Sequence, residues 1–431
     1  MKPLFVISCP IDTYSGYGAR SRDLVKALIE LDKYDVKIIP QKWGNCPWGF
    51  IEDNPEWGFM QEHILAAGSQ LSQQPPIWAQ ITVPNEFQPL GKFNIGITAG
   101  IETTHCDPSW IEGMNKMDLN LVPSQHSKHV FESCKFEKRD SNTNTLVEIV
   151  EIKRPIEVLF EGVNLDVYKS IPSGEVSLDL TEVTENFAYL FVGHWMNGEI
   201  GEDRKNVGLL VKSFYELFKN KRNTPALILK TSGAGASYLD REAILNKIHQ
   251  IKDSVEANNL PNVYLLHGEF SDKEINELYN HKKVKAMVSL TKGEGFGRPL
   301  LEFTQAKKPI IATNWSGHVD FLNSKFTTLL KGELTSVHPS ALVPNIILEN
   351  SQWFSVHHGE IGKSLNDVFV NYNKYKENAK KQASFAKNRF SYESMRTTLD
   401  SILEVIPEFP QLIELKLPEL ESLDLPELET L

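Results

Sequence analysis

Short apolar runs bounded by polar turns recur along the chain, and several are followed by segments of helical spacing. Leu4-Phe5-Val6-Ile7-Ser8 reads as a first strand. After it, Leu24, Ala27, Leu28 and Leu31 fall at i, i+3, i+4 and i+7, which predicts a helix over Ala19 to Leu31. Asn94 to Gly100 reads as a buried strand and Met117 to Ser124 as the next strand with its end. A polar loop, Asp140 to Asn144, precedes a further strand over Val147 to Ile152. A second series opens with Phe187 to Gly193. A polar, glycine-containing loop follows over His194 to Glu202, then a helix that Arg204 and Lys205 enter and that runs to about Lys219. Leu229-Lys230 ends another strand. Val284 to Leu290, a glycine turn, a helix and the strand Lys308 to Thr313 make a βαβ unit. The class is α/β, and such sheets bind ligands at the carboxyl ends of their strands.

Three of those strand ends carry candidate chemistry. In Gly293-Glu294-Gly295-Phe296-Gly297-Arg298-Pro299-Leu300-Leu301-Glu302, two carboxylates stand eight positions apart, the first on the glycine turn and the second in the helix. Pro299 favours a helix that starts beside it over one that starts near Glu294, because a first-turn proline lacks only an N–H that has no partner there. Glu302 then lies one turn in. Each carboxylate can accept two hydrogen bonds from neighbouring sugar hydroxyls, and the free N–H groups of Gly295, Phe296 and Gly297 suit an anion or hydroxyls. Arg204 and Lys205 put two cations at a helix N-terminus, against the dipole, which is favourable only with an anion between them. Arg grips phosphate as a fork and Lys as a point charge, and Lys230 at a neighbouring strand end would complete the cradle. In the first half, Gly16 and Gly18 form a turn between strand and helix that allows close backbone approach to a phosphate or sugar; a plain tight turn is the alternative. Glu102 and His105 follow the strand Asn94 to Gly100, and either could face a ligand there.

A chain of 431 residues, 41% hydrophobic and 23% charged, is expected to form two globular domains. No apolar run approaches the roughly 20 residues that span a bilayer, and the N-terminus reads as a strand rather than a signal peptide. Cys9, Cys46, Cys106 and Cys134 lack paired spacing and are expected as free thiols of a cytoplasmic protein. The net charge of -11 is concentrated at the end, since eight acidic residues and Lys416 from Glu404 onward give -7 and leave -4 for the body. No Asp-x-Asp occurs, and no metal site is expected. The near-repeat Leu417-Pro418-Glu419-Leu420-Glu421 and Leu425-Pro426-Glu427-Leu428-Glu429 suggests an extended strap or a partner-binding tail, with a homo-oligomer contact among its uses.

Glu294 to Glu302 resembles the E-x7-E signature of glycosyltransferase family 4, and Ala312 to Phe321 resembles the segment that follows it. Glu161-Gly162-Val163-Asn164-Leu165-Asp166 is similar to the family's segment between domains, and Arg204-Lys205-Asn206 to its phosphate-binding segment. His267-Gly268-Glu269-Phe270 with Leu278-Tyr279 resembles its base-side loop, and Arg389-Phe390-Ser391-Tyr392-Glu393 the start of its last helix. The resemblance spans nearly all of the first ~400 residues. It implies a GT-B fold, in which two Rossmann-like domains face across a cleft and a C-terminal helix crosses back to the first. The expected limits are 1–169, 170–390, 391–405 for the crossing helix and 406–431 for the acidic tail.

The resemblance further implies a retaining, metal-independent transfer from a nucleotide-sugar, UDP- or GDP-linked, to an acceptor hydroxyl of a glycan or protein, without cofactor. Glu294 and Glu102 or His105 would act at the reacting sugar. Gly16, Gly18, Arg204, Lys205, Lys230, Glu269, Gly295, Phe296, Gly297 and Glu302 would hold the donor. Ser8 to Gly18 and Ile81 to Phe87 also resemble glycosyltransferases of tailed bacteriophages, which raises a hydroxymethylated DNA base as acceptor and a host cytoplasm as location. A degenerate sugar- or nucleotide-binding protein is the reading of another class.

Overall fold

Strands that are buried on both faces need near-continuous apolar sequence, and the chain supplies it twice, in two separate parallel sheets. The computed structural model describes residues 2–409 apart from 67, 70, 72, 234 and 236; the Leu/Pro/Glu near-repeat lies outside the described residues.

The first sheet comprises β1 (Leu4–Cys9), β2 (Asp35–Pro40), β3 (Ile77–Ile81), β4 (Phe93–Ile97), β5 (Leu119–Val122) and β8 (Ile156–Val158). Its order is β2-β1-β3-β4-β5-β8. All five residues of β3 are buried. Helix α1 (Gly16–Leu31) follows β1, capped by Ser15, whose side chain accepts from the Gly18 N–H at 2.9 Å. The short α2 (Phe50–Asp53), α3 (Pro108–Met114) and α4 (Gln125–Ser133) are this domain's other α-helices among the described residues. Asp140 to Asn144 lies between β6 (Lys135–Arg139) and β7 (Leu146–Glu151), which pair as an antiparallel hairpin.

The second sheet comprises β9 (Ala188–Val192), β10 (Ala226–Lys230), β11 (Val263–Leu266), β12 (Val284–Ser289), β13 (Ile310–Thr313) and β14 (Thr328–Leu330), in the order β11-β10-β9-β12-β13-β14. A two-stranded unit, β15 (Gly332–Ser336) with β16 (Gln352–Val356), lies beside it. Its helices are α5 (Val207–Phe218), α6 (Tyr238–Asp253), α7 (Asp272–Asn280), α8 (Arg298–Thr304), α9 (His358–Val370) and α10 (Tyr372–Arg389). In both sheets the strand order reverses beside the first strand, at β1/β3 and at β9/β12, so each has a crevice at its carboxyl edge.

A last helix, α11 (Tyr392–Leu403), leaves the second domain. It buries Tyr392, Met395, Leu399 and Leu403 in the first domain's core with Leu24 and Leu28 of α1. Four such side chains at roughly 1.5–3 kcal/mol each make this a strong attachment. Where the chain crosses back it touches the outgoing crossing: Val163 N–H donates to Phe390 O at 2.8 Å, and Tyr392 N–H to Val163 O at 2.9 Å.

Candidate active site

The loop between β12 and α8 is held rigid before any ligand is considered. Glu294 N–H donates to Ser316 Oγ at 2.9 Å, Gly317 N–H donates to Glu294 O at 2.9 Å, and Lys292 N–H donates to Arg204 O at 2.7 Å. Helix α8 begins at Arg298 with Gly297 as its cap at φ 100°, so Pro299 sits in the first turn and Glu302 one turn in, the later of the two starts. Phe296 points its ring into the core against Phe321, with ring centroids 5.0 Å apart. The Phe296 ring is therefore part of the core and does not face the site. Among the described residues, the N–H groups of Gly295, Phe296 and Gly297 donate to no protein acceptor.

This loop is also where the two domains meet. A Cβ at Gly295 would lie 2.0 Å from Ala99 O, and one at Gly293 1.9 Å from Glu102 O, so any side chain at either position would push the domains apart. The partner segment follows β4 and is tied in turn to α1. Tyr17 Oη lies 3.1 Å from Thr98 Oγ1 and accepts from the Ala99 N–H at 3.1 Å, while its ring stacks on Trp43 at 3.8 Å.

The central charges lie at this seam. Lys205 Nζ donates to Glu294 Oε1 at 2.5 Å, and Arg204 Nη1 lies 3.5 Å from Glu294 Oε2. The same Arg204 nitrogen donates to Gly293 O at 3.0 Å and lies 3.5 Å from Glu102 Oε1 of the first domain. Burial alone would raise the Glu294 carboxyl; Lys205 and Arg204 outweigh it and hold it at about 2. Burial lowers the Lys205 ammonium. For Arg204, burial acts downward, but Glu102 and Glu294 raise it on balance. Arg204 and Lys205 precede α5 rather than entering it, because Asn206 turns left-handed at φ 57° to cap the helix. The anion that two cations at this terminus require is present, and it is Glu294.

Lys230 ends β10, donates to Gly268 O at 2.6 Å and lies 4.8 Å above the Phe270 ring; burial lowers its ammonium. Glu269, in the same loop, is exposed. Gly16 and Gly18 lie in the first turn of α1 rather than in a loop, because Ser15 caps the helix ahead of them. Gly18 packs inward, its Cβ position 2.3 Å from Thr13 O, whereas nothing lies within 4 Å of the Gly16 Cβ position. Of the two alternatives after β4, Glu102 reaches Arg204, while His105 is exposed with its Nδ1 on Thr104 Oγ1 at 3.2 Å.

Glu302 is buried in a second ionic cluster. Arg298 Nε donates to Glu302 Oε1 at 2.8 Å, and Arg298 Nη1 to Asp23 Oδ2 of α1 at 2.6 Å. Burial lifts the Glu302 carboxyl to about 8 against Arg298, helped by Asp272 and Asp23. Sequence reasoning passed over Arg298, Asp23 and Ser316. Arg298 could have been found by the argument applied to Arg204, since it is a cation in a first helical turn.

Residues 198–343 match the model of the family described as glycosyl transferases group 1. The second domain is a glycosyltransferase domain. The chain is thus an enzyme of that class, and its solved structural neighbours share the whole architecture. A glycosyltransferase from Rickettsia africae superposes with a TM-score of 0.60 at 14% identity, over 94% of this chain and 98% of that one. HepE of Anabaena, in complex with UDP and glucose, gives 0.57 at 12% identity over 93% and 99%. Sucrose-phosphate synthase of Thermosynechococcus elongatus gives 0.60 at 11% identity over 94% and 98%. The fold is GT-B, two Rossmann-like domains meeting at the carboxyl edges of their sheets. No curated protein is similar to this chain in sequence. Among the described residues, no group of three or more His, Cys, Asp or Glu side chains is arranged to hold a metal ion, and no helix is long and apolar enough to cross a membrane.

Proposed function

We propose that the protein is a retaining, metal-independent glycosyltransferase of the family 4 type, moving a sugar from a nucleoside diphosphate to an acceptor hydroxyl. The observation that carries this reading is the Glu294 carboxylate held between Lys205 and Arg204. A buried ammonium and guanidinium with one carboxylate between them form a preorganised anion site whose charges need little rearrangement. The donor diphosphate takes Lys205 and Arg204, with Lys230 beyond them. Glu294, released from its cations, accepts hydrogen bonds from the hydroxyls of the sugar, together with the N–H groups of Gly295, Phe296 and Gly297. Glu302 accepts from the ribose hydroxyls, and Glu102 faces the donor from the first domain.

In the transfer, the bond from the anomeric carbon to the phosphate oxygen breaks as the acceptor oxygen bonds to that carbon from the same face. The acceptor's proton passes to the departing diphosphate oxygen, and Arg204 and Lys205 neutralise the charge that develops there. A UDP-sugar is the favoured donor, in keeping with the UDP bound by HepE. In the first-domain segment 44–63, Glu56, Trp57 and Phe59 line a cavity together with Ser271 and Asp272 of the second domain, and the segment carries Glu52, Asp53, Glu56 and Glu62 and no Lys or Arg. Phosphate contacts dominate DNA affinity, so this segment favours a glycan or protein acceptor.

The test is a panel of UDP-, GDP-, ADP- and dTDP-sugars, read by thermal shift and by slow release of free sugar, with the product anomer followed by NMR. One nucleotide sugar should stabilise the protein and be hydrolysed with retention, and Lys205→Ala should weaken that donor by roughly 10–100-fold, as expected for losing a charged hydrogen bond. Absence of stabilisation and turnover by every donor would overturn the reading.

A further inference from the structure

The cluster around Glu302 joins three parts of the chain through a single side chain. Arg298 Nε holds Glu302 Oε1 at 2.8 Å within α8. Its Nη1 holds Asp23 Oδ2 of α1 at 2.6 Å and lies 3.8 Å from Glu161 Oε2, in the crossing between domains. Glu161 is shared with Arg20, whose Nη1 lies 3.7 Å from Oε1. A guanidinium is planar and its nitrogens keep fixed spacing, so moving the Asp23 contact moves the Glu302 contact with it. Among the described residues, the other carboxylate oxygen, Glu302 Oε2, has only the Tyr279 hydroxyl at 3.5 Å. One oxygen of Glu302 is therefore fixed by Arg298 and the other is left with capacity to accept from a ligand hydroxyl.

We propose that Arg298 is a positioning residue: it orients Glu302 for the ribose hydroxyls of the donor and, through Asp23, makes donor binding and closure of the two domains a single event. This rests on the donor-site reading above. A plain interdomain ion pair would stabilise the seam without affecting which nucleotide binds. The fork predicts more. Arg298 fixes the carboxylate's rotation, so the preference for a nucleotide with both ribose hydroxyls depends on it. Asp23 lies on the far side of the guanidinium from Glu302, so its loss removes the tie to the first domain while the Arg298–Glu302 contact remains.

The experiment uses the full chain, with Arg298→Lys and Asp23→Asn, and reads calorimetric affinity for UDP and 2′-deoxy-UDP. The radius of gyration is measured with and without UDP. Wild type should prefer UDP about tenfold or more and compact when it binds. Arg298→Lys, which keeps the charge and loses the fork, should weaken UDP about tenfold and bring the two affinities close together. Asp23→Asn should keep the preference but lose most of the compaction. Unchanged preference in Arg298→Lys or unchanged compaction in Asp23→Asn overturns the proposal while leaving the donor site standing. If Arg298→Lys does not fold, the Asp23→Asn result decides alone. Failure of wild type to bind any nucleoside diphosphate removes the donor-site reading and this one with it.

Discussion

Glu294 and Glu302 lie on one short segment, both buried, and their surroundings drive them in opposite directions. Two cations face Glu294 and hold its carboxyl at about 2. One guanidinium faces Glu302 and is divided among three carboxylates, and burial lifts that carboxyl to about 8. The same side chain becomes a firm anion at one position and a proton-holding acceptor at the other. What decides between them is that the segment before α5 brings Arg204 and Lys205 to Glu294, whereas Glu302 has Arg298 of its own helix, which Asp23 of α1 and Glu161 share. Groups whose environments separate their pKa values in this way mark divided roles in a site.

The sharpest way to break the contrast is at Glu294. Glu294→Ala should lower turnover by roughly 10²–10³-fold, the scale for removing one preorganised group that meets the reacting sugar. The same variant should bind free UDP no more weakly than wild type, because the competing carboxylate between Lys205 and Arg204 is gone. A parallel loss of UDP affinity would show that Glu294 is structural.

A smaller effect is expected from Gly295→Ala. Its Cβ would lie 2.0 Å from Ala99 O across the seam, and the clash can be relieved only by parting the domains. Overpacking of this kind costs about 1–3 kcal/mol, so activity should fall roughly 5- to 150-fold with little change in melting temperature. Scattering should report a more open molecule.

The finest distinction is in stability against pH. The folded-state pKa of Glu294 is depressed from 4.5 to about 2, so its stabilisation is present above pH 4.5 and is lost as pH falls toward 2. Glu302 is raised from 4.5 to about 8, so the folded state keeps a proton that the unfolded chain releases, and stability declines as pH rises from 4.5 to 8. Denaturant titrations should therefore show Glu294→Gln converging on wild type toward pH 2. Glu302→Gln should gain on wild type between pH 4.5 and 8. Parallel curves would remove the contrast.

Much of the fold was legible because parallel strands buried on both faces leave long apolar runs, as in Ala188–Val192 and Ile310–Thr313. The start of α8 was legible from Pro299, whose chemistry is local. The first turn of α1 was not, because Gly16 and Gly18 read equally as a loop until Ser15 is seen to cap them. At Phe296 the residue type says nothing about whether the ring or the N–H faces the site; the packing on Phe321 settles that. Arg298 escaped notice because its partners, Asp23 and Glu161, are distant in sequence and meet it only once the domains are assembled.

The return of α11 to the first domain has a consequence for biosynthesis. Met395, Leu399 and Leu403 fill a core whose other walls are made from the first 160 or so residues. A ribosome that adds on the order of 5–20 residues per second needs roughly ten seconds or more to cover the interval. During that time α1 presents a bare apolar stripe. The domain made first is therefore the one finished last, and the growing chain must keep Leu24, Leu28 and their neighbours from other partners until its final helix emerges.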